Sequence, residues 1–193
     1  MTGMKPLRIT LTVTLSVAGL TAAAPPPAPD ASAQAAAAYA ACWTKYSGGQ
    51  ATDSRGNSSV DGKELTYDDA TSLDDALSHA VRSWNLGTVR IRKDDATSYA
   101  DVEFKDTNRT DGQWRDLYGY WEHGPGTDVI WLNLANLTTT EARRKTAAHE
   151  LGHALGFCHK DPSRYATLMA PHTGDMASAP TTQDKKNYAL LWG

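Results

Sequence analysis

The stretch TAAHELGHALGFCHK, residues 146–160, places His149, Glu150, His153 and His159 inside eleven positions, with Cys158 directly before the last histidine. On a helix, residues four apart stand one above the other. His149 and His153 therefore project from one face and can offer two imidazole nitrogens to a single ion. Glu150 then lies beside them, close to water on that ion and not on the ion itself. Gly156 can take the left-handed conformation that ends the helix, so that the chain doubles back and brings in His159 as a third ligand.

Three protein ligands leave the fourth position of a tetrahedral zinc open, which separates a catalytic site from a closed structural one. Water held there has its pKa lowered from 15.7 to about 7, and Glu150 is placed to take its proton and hand it to a leaving amine. The expected chemistry is hydrolysis of a peptide bond by a metal-activated water. Histidines, glutamate and glycine at this spacing arise by accident on the order of once in 10⁵ chains of this length. Histidines on an ordinary amphipathic helix would leave Gly156 without a task.

The rest of the chain has to supply a scaffold. A length of 193 residues with 40% hydrophobic content suits one domain with one core. A formal charge of -3 gives no basic surface for nucleic acid or anionic membrane, so neither is expected as a partner. Lys5 and Arg8 precede the short apolar run ITLTVTLSVAGL and small-residue cleavage candidates, the pattern of a secretory signal peptide over residues 1–35, with room for a short pro-segment. Residues 36–59 then read as an N-terminal extension and 60–193 as the catalytic domain of a secreted, extracellular protein. Without residues 1–35 the chain has 17 basic and 21 acidic groups, a net charge of -4.

Cys42 and Cys158 are the two cysteines, and in an exported chain an even count reads first as a disulfide. The alternative, Cys42 as a thiolate that blocks a metal until a pro-segment is removed, is less favoured, because AACWTKY has no arginine or proline to fix such a loop.

Periodicity predicts a strand at KELTYDD and a helix over SLDDALSHAVRSWNLG, capped by Ser72 and ended at Gly87. TVRIRK and YADVEFKD follow as strands with Val89, Ile91, Val102 and Phe104 inward. DLYGYWEH reads as another strand and DVIWLNLAN as a continuously apolar, buried one. Thr138 and Glu141 form an expected capping box for the histidine helix, and Thr181 with Asp184 for a last helix. The element order indicates an α+β or α/β layer with a mostly parallel sheet.

HELGHALGFCH resembles the extended zinc signature of the metzincin metalloproteases, and YATLMAPHTG is similar to their Met-turn. TLMAPHTG and the ending TTQDKKNYALLWG most resemble the matrixins, the matrix-metalloprotease group. The likeness runs from Val60 to Gly193 and is strongest over the last 55 residues. It implies a zincin-type α+β fold: a twisted, mostly parallel sheet with an antiparallel edge strand, a zinc helix, a Met-turn and a C-terminal helix. It also implies one catalytic Zn2+ on His149, His153 and His159, Glu150 as general base, and Met169 as the floor under the metal. Pro171 and His172 would wall the pocket after the cut. The edge near Gly119, Tyr120 and Trp121 would pair with an extended polypeptide substrate, and the protein would act as a monomer.

The chain departs from the matrixin pattern in several places. Lys160 follows the third histidine where matrixins usually have serine, the cysteine-switch sequence is missing, and no tyrosine lies two residues after Met169. Ca2+ is left open without a recognisable site, since Asp94, Asp95 and Asp101 form no known loop and His79, His123 and His172 are scattered. His123 reads more readily as a solvated turn residue than as part of the cleft. A rival from another class is a catalytically silent zinc protein that holds peptides, which would have no need of Glu150.

Overall fold

The computed structural model describes residues 39–95 and 99–193. The signal-peptide reading of residues 1–35 lies outside them. The described chain is α+β, with strands β1 (Glu64–Ala70), β2 (Arg90–Lys93), β3 (Val102–Thr107), β4 (Gly119–Glu122) and β5 (Asp128–Asn133) and helices α1 (Asp74–Trp84), α2 (Thr140–Ala154) and α3 (Thr182–Trp192). The strands form one sheet in the order β2-β1-β3-β5-β4. Three pairings are parallel, and β4 runs antiparallel to β5 at the edge, as expected.

The sheet buries one face. Leu65, Ile91, Val102, Phe104, Ile130 and Leu132 point into a single core with residues of α1 and α2, while Glu103, Lys105 and Trp131 lie half-buried on the opposite face. Full burial of each large apolar side chain contributes roughly 1.5–3 kcal/mol. Strand β5 differs from the continuously buried strand expected, because it lies next to the edge and Val129 and Trp131 face the thinly covered side.

Two helix starts fall one residue later than their sequence signals. Leu73, not Ser72, holds the N-cap position of α1. There Thr71 Oγ1 accepts the Leu73 N–H at 3.1 Å, while the Ser72 N–H donates to Asp106 at 2.6 Å. The helix ends at Trp84, before Gly87. At α2, three consecutive threonines leave the cap ambiguous in sequence. Thr139, whose backbone is extended, takes it and accepts the Ala142 N–H at 3.1 Å, and Glu141 pairs instead with Lys145. The box at α3 forms as read, with Thr181 and Asp184 exchanging bonds.

Helix α1 docks on α2 through Trp84, which is fully buried, donates its indole N–H to the Ala148 carbonyl at 2.7 Å and stacks on Phe157 at 5.0 Å. Helix α2 closes with Phe157 N–H on the Gly152 carbonyl and Gly156 N–H on the His153 carbonyl, the paired bonds of a left-handed helix stop. Gly156 has φ +90, and a Cβ there would meet the Ser54 carbonyl oxygen at 2.4 Å.

Residues 39–59 wrap this end of α2. The Ser59 N–H donates to the Ala154 carbonyl, the Ser54 N–H to the Gly156 carbonyl, and Cys42 is disulfide-bonded to Cys158 with Cα atoms 5.5 Å apart. Gly156→Ala should therefore destabilise the fold by about 2–4 kcal/mol, the sum of left-handed strain and a backbone clash. Denaturant unfolding measures this, and a loss under ~0.5 kcal/mol would contradict it.

Candidate metal centre

Helical spacing and the stop at Gly156 bring the three expected ligands together. The Nε2 atoms of His149 and His153 are 3.1 Å apart, and each is 3.2 Å from Nε2 of His159. Each Nδ1 faces a main-chain carbonyl: Leu168 at 2.9 Å for His149, Phe157 at 2.7 Å for His153 and Tyr46 at 2.6 Å for His159. A carbonyl only accepts, so Nδ1 carries the proton in every ring and Nε2 presents a bare lone pair.

Three lone pairs aimed at one another repel unless a cation lies between them. For a tetrahedral ion bonded at 2.0–2.1 Å, neighbouring donors are about 3.3 Å apart, close to the spacing found. An all-imidazole set suits zinc or a similar transition ion and not calcium or magnesium, which take oxygen ligands. Burial also keeps the rings neutral. It is the first cause of the lowered pKa of His149, to about 3, with His159 adding to it, and of the lowered values of His153 and His159.

Glu150 is buried beside the trio, and burial pushes its carboxyl up to about 8 against a backbone hydrogen bond at Trp121. It can lie there because β4 crosses α2 at a glycine. A Cβ on Gly119 would fall 2.6 Å from Thr146 Cγ2 and 2.8 Å from Glu150 Oε1.

Met169 is buried and packs on α2 at Gly152, where a Cβ would meet its Sδ at 2.4 Å. The strand of backbone next to it is fixed by Asp184. That carboxylate accepts the Leu168 N–H at 2.8 Å and the Thr167 hydroxyl at 2.6 Å while capping α3. The cap was visible in the sequence; its second role in holding the residue whose carbonyl orients His149 was not.

Lys160 is almost fully buried, and its ammonium donates to Asp53 at 2.7 Å. Asp53 also accepts the Cys158 N–H at 3.0 Å and the Asn187 amide at 2.8 Å. Burial lowers the Lys160 pKa while Asp53 pulls it back up. Nothing in the Gly/Ser-rich stretch around Asp53 announces this role.

A cleft of about 690 Å³ opens over the trio and Glu150. Gly119, Tyr120, Trp121, Pro171 and His172 all line it. Tyr46 and Ser47 of the N-terminal extension line it too and were missed, since a loop sequence carries no signal of its packing. The Tyr46 ring meets His172 edge-on at 5.3 Å. His123 lies elsewhere, bound to the buried Asp128 at 2.9 Å, and His79 contacts the Ser178 carbonyl. Compared with known proteins, the chain matches no family model, and no curated sequence is significantly similar to it.

The shifts have opposite signs for stability in metal-stripped protein. His149, lowered from 6.5 to about 3, contributes stability that is present above 6.5 and lost as pH falls through that window. Glu150, raised from 4.5 to about 8, contributes stability present below 4.5 and lost as pH rises toward 8. In chelator-treated samples, thermal melts of Glu150→Gln should gain on wild type as pH rises from 4.5 to 8, and both proteins should weaken as pH falls from 4.5 toward 3. Parallel curves across that range would refute the assignment for Glu150.

Proposed function

We propose that the chain is a secreted zinc endopeptidase of metzincin type, most like the matrixins, that cuts extended polypeptides. The observation that carries the reading is the convergence of three bare Nε2 atoms within 3.2 Å of one another, with the Glu150 carboxyl buried next to them at the floor of an open cleft. Met169 under α2 and the antiparallel edge strand β4 support it. The disulfide supports export, because such bonds persist in oxidising compartments.

Zinc on the trio would supply a Lewis acid for the scissile carbonyl and a water that is nucleophilic at neutral pH. The residues of the chain do the rest. His149, His153 and His159 hold the ion through Nε2 while their carbonyl partners keep each ring in one tautomer. Glu150 takes the proton of the attacking water and returns it to the departing amine. Strand β4, whose outer edge is unpaired among the described residues, binds the substrate backbone by adding a strand, which gives affinity with little sequence choice. Pro171, His172 and Tyr46, whose ring touches His172, line the side-chain pocket.

Elemental analysis of Glu150→Ala should find one zinc per chain, as in wild type, while cleavage of casein falls about 10²–10⁴-fold, the usual range for a general base. Casein cleavage at the wild-type rate would remove Glu150 from that role. A wild-type protein that binds zinc and cleaves nothing in a broad peptide library would leave the peptide-holding rival in its place.

A further inference from the structure

The three carbonyls that orient the rings come from unequal places. Phe157 lies in the turn that follows α2, and Leu168 is fixed from behind by Asp184. Tyr46 lies 113 residues upstream of His159, on a stretch in which no residue from Trp43 to Gln50 is buried. Apart from the Tyr46–His172 ring contact and the Asn57 amide on Gln50, its non-covalent attachments are hydrogen bonds near Cys42 and His159. The Trp43 N–H donates to the His159 carbonyl at 2.7 Å, the Ser47 hydroxyl reaches the same carbonyl at 3.5 Å, and the Cys42 N–H donates to Ala51. The Cys42–Cys158 bridge is the one covalent tie, and it joins this stretch to the residue directly before the third ligand.

We infer that the Cys42–Cys158 disulfide is a positioning element for the metal centre: by holding residues 43–47 across His159 it keeps the Tyr46 carbonyl on Nδ1 and so raises the affinity of the trio for zinc. This rests on the zinc reading above. An imidazole without its Nδ1 partner can rotate and change tautomer, which puts a proton on the nitrogen the ion needs. Asp53 sets the limit of the effect. It grips the Cys158 N–H and the Lys160 ammonium, the residues on either side of His159, without help from the bridge. Opening the bridge in the folded protein therefore loosens the orienting carbonyl and leaves the ligand loop in place, so a graded weakening of zinc binding follows.

The test is the double variant Cys42→Ala/Cys158→Ala, because either single change would leave a free thiol that itself binds zinc beside the imidazoles. Zinc affinity is read by competition with a chelating dye, and ring geometry by the imidazole Nδ1–H signals in a proton–nitrogen NMR spectrum. Expected are a 10- to 100-fold weaker dissociation constant, the usual cost of losing an outer-shell partner, and loss of one of three slowly exchanging Nδ1–H signals, with the near-ultraviolet circular dichroism of the tryptophans kept. Phe104→Leu, buried in the sheet far along the chain from both cysteines, lowers stability without touching this stretch and should leave both readouts unchanged.

Should the double variant not fold, the bridge is opened in folded wild type with a phosphine. One disulfide, one phosphine and one water give two thiols and a phosphine oxide. Each thiol is then capped with methyl methanethiosulfonate, which forms the methyl disulfide and releases methanesulfinic acid, and the same readouts apply. Zinc affinity within twofold of wild type, with three Nδ1–H signals retained, overturns the inference and leaves the zinc reading standing. A wild-type protein that takes up no zinc overturns both.

Discussion

Three imidazole lone pairs held within 3.2 Å of one another are an unfavourable arrangement, and most of what surrounds them serves to enforce it. Left alone, the rings would rotate apart or share a proton. They do neither because each Nδ1 is committed to a carbonyl, and the carbonyls are themselves fixed by backbone that has other bonds to keep. The fold therefore delivers three oriented carbonyls as much as three histidines. A cation bound by the trio would relieve the repulsion that the rest of the structure imposes, and its binding would then be linked to folding.

Glycine recurs where elements come too close for a side chain. At Gly119 the edge strand passes over α2 near enough to touch Glu150, at Gly152 the loop carrying Met169 presses on the helix from the other side, and at Gly156 the extension meets the helix end. Gly152 lies in the helix interior, where glycine costs about 1 kcal/mol relative to alanine. Direct contact with Met169 is obtained in exchange. All three close approaches fall on the chain between Thr146 and Gly156, and the one at Gly119 lies against the Glu150 side chain.

What the sequence made legible follows from locality. His149 and His153 are one helical turn apart, Gly156 is three residues further on, and the disulfide is a choice among two cysteines, so these needed no knowledge of tertiary structure. The alternation in β2 and β3 was readable because one face of the sheet is buried and the other is not, whereas in β1 Leu65 and Thr66 are both buried and the pattern is weaker. The cap of α2 was misplaced by one residue because Thr138, Thr139 and Thr140 are chemically alike and only backbone conformation separates them. Asp53, Tyr46 and the second role of Asp184 were not legible at all. Each acts across more than a dozen residues on a partner chosen by packing, and an aspartate in a polar loop looks the same whether it is solvated or carries a buried lysine.

Both ends of the described chain close on the loop from Leu155 to Lys160. Asn187 of α3 holds the backbone of Ala40 on both sides and also bonds Asp53, so the N-terminal stretch, the C-terminal helix and the ligand loop share one buried polar junction. These contacts span 134 to 147 residues, and the disulfide spans 116. Loop-closure entropy opposes such pairings until most of the chain is in place, so α2 can form early but the third ligand can be oriented only late. A cross-link over a loop of this length removes about 4–5 kcal/mol of denatured-state entropy on the chain-entropy estimate. That sum is comparable to the net stability of many domains of this size, and it acts at the point where the site is assembled from the most distant parts. A helix and a turn could place His149 and His153 unaided; the geometry of the third ring is a property of the whole chain.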